Sequence, residues 1–352
     1  MPEGESDSAR YTLIGRLETQ DVDRWDAYVA SHPDSSFFHR AGWKAVIERS
    51  FGQDTYFLFA ERGGRLTGVL PLAHYRSKMF GNALISNGCC MGGGPLADDE
   101  DSYQRLDGAA AALMDRLGAD YLEYRRPNRQ HPHWARCDQL YATFDGVLAS
   151  DEAEGLKQIP RKQRAVLRKS LESGLTDEID ADIDRFYPLY ATTVHRLGTP
   201  VFAKSYFRAL MQEFGPDCDI LTVLSAGKPV SSVLSFYFRE SVMPYYAGAG
   251  AGARAVGAND FMYWRLMRRA AERGLRHFDF GRSKIGSGPY AFKKNWGFAA
   301  RPVLHEYRVA GGGAAPSLNP GNPRYRLMIA IWKRMPLPLA NLIGPHIVRN
   351  IG

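Results

Sequence analysis

Two stretches of the first half of this chain return, in the same order, in the second half. Residues 51–70 match residues 214–233 without a gap, and residues 116–126 match residues 272–282. Two ordered matches are most simply explained by two copies of one unit. The repeat therefore predicts a chain built from a duplicated α/β unit.

Each copy has the pattern helix, strand, turn, strand, helix, strand. In the second copy Asn259 or Asp260 supplies a helix N-cap, and Gly274 supplies the stop. Turn residues at 63–64 and 226–227 separate neighbouring strands. The predicted helices span residues 41–50, 205–214 and 260–274, and the predicted strands span residues 55–60, 66–75, 219–224, 229–238 and 277–280.

The length of 352 residues predicts two domains. Hydrophobic periodicity lapses near residues 145–153, and a glycine-rich linker begins at Gly311. We therefore predict a first domain over residues 1–150, a second over 151–310 and a basic tail over 311–352. The hydrophobic content of 45% is sufficient for two buried cores.

The sequence predicts neither a metal site nor a membrane span. The four cysteines show no paired metal spacing, and we interpret them as reduced thiols of a cytoplasmic protein. His131 and His133 have a spacing that can bind a metal, but no acidic or cysteine partner accompanies them. The first ten residues lack the apolar stretch of a secretory signal. No segment reaches the roughly 18 apolar residues that a span needs.

The net charge of +7 is concentrated at one end of the sequence. After Glu306 there is no acidic residue, whereas six arginines and lysines follow it. Charge of a single sign is typical of docking or anion-facing segments. We predict that the tail packs back on the first domain. The alternatives are a solvated extension and peripheral contact with a membrane surface, which would place the protein at the inner membrane face.

Three runs in the second copy carry a resemblance to a known family. They are N-D-F-M-Y-W at 259–264, F-D-F-G-R-S at 278–283 and Y-A-F-K-K-N-W-G-F at 290–298. The pattern resembles the second half of FemAB-like transferases, and most closely the FemAB-related proteins of exosortase (PEP-CTERM) and exopolysaccharide gene clusters. The similarity extends to residues 160–164 and 322–328.

The resemblance implies tandem duplicated GNAT-like domains, an α/β (α+β) fold whose mixed central sheets are flanked by helices. It also implies an acyl or aminoacyl transferase that forms an amide on an amine acceptor in cell-envelope or exopolysaccharide biosynthesis. The donor would be a co-substrate, aminoacyl-tRNA or acyl-CoA, with no tightly bound cofactor. The alternatives are an acyl-CoA-dependent N-acyltransferase of a small molecule and a non-catalytic scaffold on a degenerate double fold.

Amide formation requires two positioned substrates, proton transfer and stabilisation of an oxyanion. Lys293 matches the lysine of the family's F-K motif, and we predict that it binds the donor or stabilises charge at the carbonyl. Asp279 is predicted to hold or deprotonate the amine, and Arg282 to bind an anion through its planar fork. Glu123 occupies the place equivalent to Asp279 in the first copy. A structural role for both carboxylates, pairing with Arg282 and Arg126, therefore stays open.

Further residues are predicted to complete the groove. Tyr246, at the end of a strand, is a candidate proton donor. The glycine-rich run 248–252 is predicted either to cradle phosphate at the start of a helix or to form a mobile substrate loop. The remaining candidates for substrate binding are His195, Asn259, Ser283, Phe292 and Trp296.

A basic cluster opens the second domain. Arg161, Arg164 and Arg168 fall at helical spacing and share one face. Such a cationic ridge is predicted to meet tRNA or a diphosphate carrier. The F-K-x-x-x-G run occurs only in the second copy, so the sequence predicts that the fold was duplicated and the chemistry was not.

Overall fold

A computed structural model of the chain describes residues 11–77, 80–127, 131–313 and 323–351, which form fifteen strands and eleven α-helices. The strands are β1 (Leu13–Arg16), β2 (Asp54–Arg62), β3 (Arg65–Ser77), β4 (Gly81–Ser86), β5 (Leu96–Ala97), β6 (Tyr121–Arg125), β7 (Ala135–Cys137), β8 (Tyr141–Val147), β9 (Leu175–Asp180), β10 (Cys218–Ser225), β11 (Lys228–Phe238), β12 (Ser241–Ala249), β13 (His277–Lys284), β14 (Ala299–Pro302) and β15 (His305–Val309). The helices are α1 (Val22–Ser31), α2 (Gly42–Phe51), α3 (Glu100–Leu117), α4 (Glu152–Gln158), α5 (Arg161–Leu171), α6 (Phe186–Leu197), α7 (Lys204–Phe214), α8 (Ala258–Glu272), α9 (Gly288–Asn295), α10 (Pro323–Arg334) and α11 (Leu337–Val348).

Two compact units divide the chain. Unit 1 comprises Met1–Asp138, Leu304–Ser317 and Arg349–Gly352, and unit 2 comprises Gln139–Val303 and Leu318–Val348. The first boundary falls at Asp138 rather than at the predicted residue 150, because β8 belongs to the sheet of unit 2. The division also differs from three successive segments, since the chain re-enters unit 1 at Leu304.

The sheet of unit 1 has the order β1-β2-β3-β4-β6-β15-β7, with β5 on β3. Its first four strands pair antiparallel, and β4 and β6 pair in parallel. Helix α3 connects those two parallel strands and packs its apolar face, including Leu106 and Met114, into the core. A parallel pair needs such a crossover connection.

The sheet of unit 2 repeats this arrangement in the order β14-β8-β13-β12-β11-β10-β9. Strands β12 and β13 form its parallel pair, and α8 is the crossover helix. Phe261, Met262 and Leu266 of α8 are buried in the core of this unit. The second of the two sequence matches therefore covers the end of each crossover helix and the strand that follows it, β6 in unit 1 and β13 in unit 2.

Each sheet contains a strand that arrives from outside its main run. In unit 1, β15 inserts antiparallel between β6 and β7. In unit 2, β8 inserts antiparallel between β13 and β14. The chain thus leaves unit 1 after β7 to supply the inserted strand of unit 2, and leaves unit 2 after β14 to supply that of unit 1.

Two-residue turns explain the first sequence match. Gly63 and Gly64 connect β2 to β3 with φ of 57° and 78°, and Ala226 and Gly227 connect β10 to β11 with φ of 48° and 75°. Positive φ at both central residues is the type I′ geometry that matches the twist of a hairpin. Both copies therefore require glycine at the second turn position.

The tail helices pack within unit 2. Both α10 and α11 contact α6, and a Cβ atom built on Gly344 of α11 would lie 2.9 Å from the backbone nitrogen of Val201. Only Arg349–Gly352 of this end belong to unit 1, where Gln53 Nε2 donates to the carbonyl oxygen of Arg349. The helices of the tail thus differ from the prediction that the tail packs on the first domain.

Candidate functional site

The parallel strands of unit 2 separate soon after they begin. Strands β12 and β13 are in register only at Ser241–His277 and Val242–Phe278. Beyond this point a cavity of about 490 Å³ is lined by the loop that joins β12 to α8 and by residues of α6 and α9. In open α/β sheets, ligands bind in the crevice at the carboxyl ends of the strands. Its charged and polar lining residues are Arg196, Arg254, Asn259 and Asp260.

The start of α8 forms one wall of this cavity. Gly257 precedes the helix with φ of 66°, a conformation that strains any side chain, and a Cβ atom there would lie 2.8 Å from Ser170 Cβ. The helix begins at Ala258, with no side-chain cap, where Asn259 or Asp260 was predicted as the cap. The positive end of the helix dipole therefore meets two arginines, an arrangement that favours an anion.

The carboxyl group of Asp260 is tied to a neighbouring helix. Gln163 Nε2 of α5 donates to Asp260 Oδ1 at 2.5 Å, and burial raises the pKa of this carboxyl group. Gln163 lies in the sequence between two members of the predicted cationic ridge, so the ridge helix reaches the cavity wall through its buried side.

The glycine-rich run serves two purposes. A Cβ atom on Gly248 would lie 2.2 Å from the backbone nitrogen of Tyr190, so this glycine permits α6 to pack closely on β12. Gly250 and Gly252 line the cavity instead. Only the later part of the run is therefore placed to approach a phosphate.

Lys293 holds an irregular segment of β13. Its Nζ atom donates to the carbonyl oxygens of Phe280 at 2.5 Å, Gly281 at 3.2 Å and Arg282 at 3.2 Å. The pairing of β13 with β8 shifts register between Asp279 and Arg282, and Gly281 has φ of 68°. Burial lowers the pKa of Lys293 to about 8. The three ammonium protons can thus be donated to the carbonyl groups of Phe280 and Gly281, which have no partner in the strand register, and of Arg282, where the pairing resumes.

Asp279 lies on the opposite flank of the same bulge. Its Oδ1 atom accepts hydrogen bonds from Thr143 Oγ1 at 3.1 Å and from the backbone nitrogen of Gly281 at 2.8 Å. The charge of Asp279 acts to raise the pKa of Lys293, in opposition to burial. The structure therefore brings Asp279, Lys293 and Gly281 together as one local constellation.

Arg282 and Ser283 follow in the same strand. The guanidinium of Arg282 stacks over the ring of Tyr141, with its carbon 4.6 Å from the ring centroid, and Ser283 is buried. Phe292 links the bulge to the cavity, because it precedes Lys293 and lines the cavity itself. Lys293, Asp279 and Arg282 therefore surround the bulge. Phe292 and Asn259 line the cavity.

Tyr246 lies in an aromatic cluster of unit 2. Its hydroxyl oxygen is 2.8 Å from that of Tyr206, and the rings of Tyr190, Phe202 and Phe207 surround it. Burial raises the pKa of Tyr246 well above its usual range, so its phenol stays protonated. The structure places this side chain among α6 and α7 rather than in the cavity lining.

Two further predicted residues, His195 and Trp296, are not among those that line the 490 Å³ cavity. His195 occupies the last turn of α6, next to Arg196 of the cavity lining. Trp296 is buried and lines a second, smaller cavity of about 220 Å³, together with Trp264 and Phe298. Within the Y-A-F-K-K-N-W-G-F run, Phe292 therefore lines one cavity, whereas Trp296 and Phe298 line the other.

The three arginines of the predicted cationic ridge lie on α5, but they differ in their contacts. Arg164 donates to the carbonyl oxygens of Lys157 and Ile159, which closes the end of α4. Arg161 and Arg168 are exposed. Of the three ridge arginines, these two therefore present their guanidinium groups to solvent, where a phosphate could bind.

The equivalent loop of unit 1, which joins β4 to α3, is bonded to its own unit. Arg125 Nη1 donates to the carbonyl oxygen of Cys90, and the backbone nitrogen of Gly94 donates to that of Arg125. His39 Nε2 lies 2.9 Å from the carbonyl oxygen of Gly94. Hydrogen bonds within unit 1 thus hold this loop in place, whereas the equivalent loop of unit 2 lines the cavity.

Glu123 of unit 1 occupies a buried polar cluster. Its Oε1 atom accepts from Arg125 Nε and His305 Nδ1, both at 2.8 Å. Burial alone would raise the pKa of Glu123, but the charge of Arg125 and the bond from His305 lower it to about 2. Its arginine partner is Arg125 rather than the predicted Arg126. Because His305 lies on β15, the carboxylate also links this inserted strand to β6.

His131, one of the two histidines whose spacing could bind a metal, contacts β15 of the same sheet. His131 Nδ1 lies 2.9 Å from Glu306 Oε2, and its ring stacks on Trp134 with centroids 4.0 Å apart. Within the described part of the chain, no group of three or more histidine, cysteine, aspartate or glutamate side chains is placed to hold a metal ion.

Comparison with known proteins supports the assignment of the fold. Residues 156–294 match a family model described as an acetyltransferase (GNAT) domain, a span that contains the cavity, α8 and Lys293. A tandem GNAT protein from the clavulanic acid biosynthesis pathway superposes with a TM-score of 0.54 at 14% identity, covering 87% of this chain and all of the other. This chain has a tandem GNAT fold.

Two other solved structures have a similar fold over most of the chain. FemX superposes with a TM-score of 0.65 at 16% identity, covering 84% of this chain and 96% of FemX. The C-terminal domain of a putative lysylphosphatidylglycerol synthetase from Agrobacterium fabrum superposes with a TM-score of 0.55 at 15% identity, covering 83% and 93%. The search of curated proteins found no match. The mixed sheets flanked by helices that the sequence predicts are confirmed.

Arg196, Arg254 and Asp260 are the charged residues of the cavity lining that were not predicted as site residues from the sequence. Arg254 follows the glycine-rich run, and Asp260 was interpreted as a helix cap. Arg196 lies far from both in sequence and reaches the cavity only because α6 packs on β12. The adjacent His195 was predicted from the sequence as a substrate-binding residue instead of Arg196.

Proposed function

We propose that the protein is an N-acyltransferase that binds the phosphate-bearing part of its acyl donor in the 490 Å³ cavity of unit 2. One observation carries the proposal. Within the span matched by the GNAT family, the cavity combines two arginines with the start of a helix of fifteen residues, where the parallel strands separate. Arginine and a helix N-terminus are both suited to bind phosphate.

The reaction forms an amide. A neutral amine nitrogen attacks the acyl carbon, the bond from that carbon to the donor oxygen or sulfur breaks, and the amine gives up a proton. Asp279 is the proposed acceptor of that proton or anchor of the amine, since its carboxylate is oriented by Thr143 and Gly281. Lys293 acts as a positioning residue, because its ammonium fixes the carbonyl groups of the bulge on which Asp279 depends.

The proposed donor is aminoacyl-tRNA or acyl-CoA. Aminoacyl transfer to a cell-envelope precursor is supported by the likeness of the fold to FemX and to a lysylphosphatidylglycerol synthetase domain. Acyl-CoA is supported by the match to the GNAT acetyltransferase family. The exposed Arg161 and Arg168 would add phosphate contacts for a nucleic acid donor. An exopolysaccharide precursor remains a proposed acceptor.

A two-donor experiment tests the proposal. The protein is incubated with acyl-CoA or aminoacyl-tRNA and a panel of amines, and amide products are detected by mass spectrometry. We expect product with one donor class, and loss of product in an Arg196→Ala, Arg254→Ala double variant. Arg208→Ala, an exposed arginine of α7, is the matched control. Inertness of the wild-type protein with both donor classes contradicts the proposal and favours a non-catalytic scaffold.

A further inference from the structure

The tail helices expose an unusual amount of apolar surface. Of thirteen large hydrophobic side chains that are exposed in the described residues, five lie on α10 and α11. A stable surface helix usually presents polar residues to water. The five exposed side chains are Leu327 (64%), Met328 (41%), Ile331 (56%), Leu339 (44%) and Leu342 (68%).

One face of each tail helix is buried against unit 2. Trp332 of α10 and Ala340, Gly344 and Val348 of α11 are buried, and both helices contact α6. A Cβ atom on Gly198, at the end of α6, would lie 2.6 Å from Ile329 Cγ2, so this packing is close. The exposed leucines therefore remain outside after the tail has docked on its own unit.

The composition of the second helix excludes an ordinary solvated face. Helix α11 contains no aspartate, glutamate, lysine or arginine over its twelve residues. The nearest charged groups in the sequence are Lys333, Arg334 and Arg349, which are exposed. After Glu306 the sequence carries no negative charge at all. The apolar surface is thus flanked by positive charge alone.

This combination fits the interface of an anionic bilayer. Helices that lie in the membrane surface place leucines at the acyl boundary and lysines or arginines at the headgroups. Each tail helix is about 18 Å long, too short to cross a hydrocarbon core. Across the described ranges, the search for a helix with the length and hydropathy of a membrane span returns none.

A second copy of this chain is a poorer occupant. A symmetric interface pairs one surface patch with itself. It would therefore bring Lys333 and Arg334 of two copies together without an acidic residue from either tail to compensate. An anionic lipid surface supplies the opposite charge.

We infer that α10 and α11 dock the protein on a bilayer surface that carries anionic phospholipids, with Leu339 and Leu342 inserted at the interface. The residues that line the donor cavity include none from α10 or α11, so the inference goes beyond acyl transfer. It places the active unit at the surface where a lipid-linked amine would be presented.

Vesicle cosedimentation tests the inference with the full chain. The probes are phosphatidylcholine vesicles with and without phosphatidylglycerol. We expect binding that requires phosphatidylglycerol and weakens as salt is added. A Leu339→Ser, Leu342→Ser double variant is expected to lower the partition coefficient by about tenfold. The matched control is Leu13→Ser with Val22→Ser, two exposed apolar residues of unit 1.

Charge is tested separately. Lys333→Gln with Arg334→Gln should weaken binding to the anionic vesicles, whereas Lys228→Gln should leave it unchanged. Circular dichroism and acyl transfer by each variant establish that the fold is retained. Equal binding of the wild-type protein to both kinds of vesicle, or no binding to either, overturns the inference. A wild-type dimer that the leucine substitutions dissociate, without vesicle binding, assigns the surface to a second copy instead.

Discussion

The ammonium of Lys293 lies 3.2 Å from the carbonyl oxygen of Gly281, the residue that turns β13 through a left-handed conformation. The contact explains how a motif lysine shapes the site without facing the cavity. Removal of the ammonium leaves three carbonyl oxygens without their donor and allows the bulge to shift. Misplacement of a catalytic group by about 1 Å can cost about a hundredfold in rate.

Lys293→Met is therefore expected to lower kcat/KM for acyl transfer by about a hundredfold. Lys294→Met, which changes an exposed neighbour, is the control and should retain activity. Because burial lowers the pKa of Lys293 to about 8, the wild-type kcat/KM should fall as the pH rises through 8 and the ammonium loses a proton. Lys293→Arg keeps its charge in this range and should lack that limb. An unchanged pH profile in Lys293→Arg would mean that another group titrates.

The cavity arginines should control donor affinity. Arg196→Ala and Arg254→Ala are each expected to raise the Kd of the active donor by about tenfold, since each removes a charge-assisted contact with phosphate. Isothermal titration with the non-reactive donor product measures the effect. Arg208→Ala should have no effect, and its salt dependence should equal that of the wild-type protein. Equal loss in all three variants would indicate only a general electrostatic effect.

Acid should destabilise unit 1 through His39. Its neutral ring accepts from the backbone nitrogen of Ser36 through Nδ1 and lies 2.9 Å from Gly94 O through Nε2, and burial lowers its pKa to about 4. The unfolded chain takes up a proton near pH 6.5, before the folded chain does. The free energy of unfolding should therefore fall as the pH drops from 6.5 towards 4.

Urea unfolding at pH 7 and pH 5 measures this loss. His39→Gln should be less stable at pH 7 but should show a shallower loss between the two values. His131 acts in the other direction: burial opposes its protonation, but Asp107 and Glu306 raise its pKa, so its contribution is lost as the pH rises above 6.5. His131→Gln should leave the acid limb intact. A His39→Gln variant with the full wild-type slope would show that another group is responsible.

The two units should differ in stability when each is made as a separate fragment, because the inserted strand of unit 1 comes from a distant part of the chain. Residues 139–348 contain every strand of the sheet of unit 2, whereas residues 1–138 lack β15. Without β15, Glu123 loses His305, and β7 loses its neighbour in the sheet. We expect cooperative urea unfolding for 139–348 and none for 1–138. Addition of a peptide that spans 304–313 should restore structure to 1–138; cooperative unfolding of 1–138 alone would contradict this interpretation.

Local patterns in the sequence predicted the duplicated architecture well. The β2–β3 and β10–β11 hairpins and helix α7 agree with their predicted positions within a few residues, because turn glycines and helical periodicity are local signals. The exchange of β8 and β15 was not predictable in the same way. Each of these strands finds its partners far away in the sequence, and a strand pattern does not specify its neighbour.

The contacts within the candidate site were likewise not predictable from local patterns in the sequence. Lys293, Asp279 and Arg282 were selected from motifs, and the structure places them around one bulge. The register shift that gives Lys293 its carbonyl partners depends on the pairing of β13 with β8. The role of Arg196 depends on the packing of α6 on β12, which the absence of a side chain at Gly248 permits. Sequence patterns identify such residues more readily than their contacts.

Donor binding is expected in the second copy alone. Hydrogen–deuterium exchange with and without the active donor tests it directly, because the two equivalent loops report separately. We predict that the donor protects residues 249–260, while residues 87–99 of unit 1 exchange as before. Protection confined to residues 87–99 would contradict the account and assign the donor to the first copy.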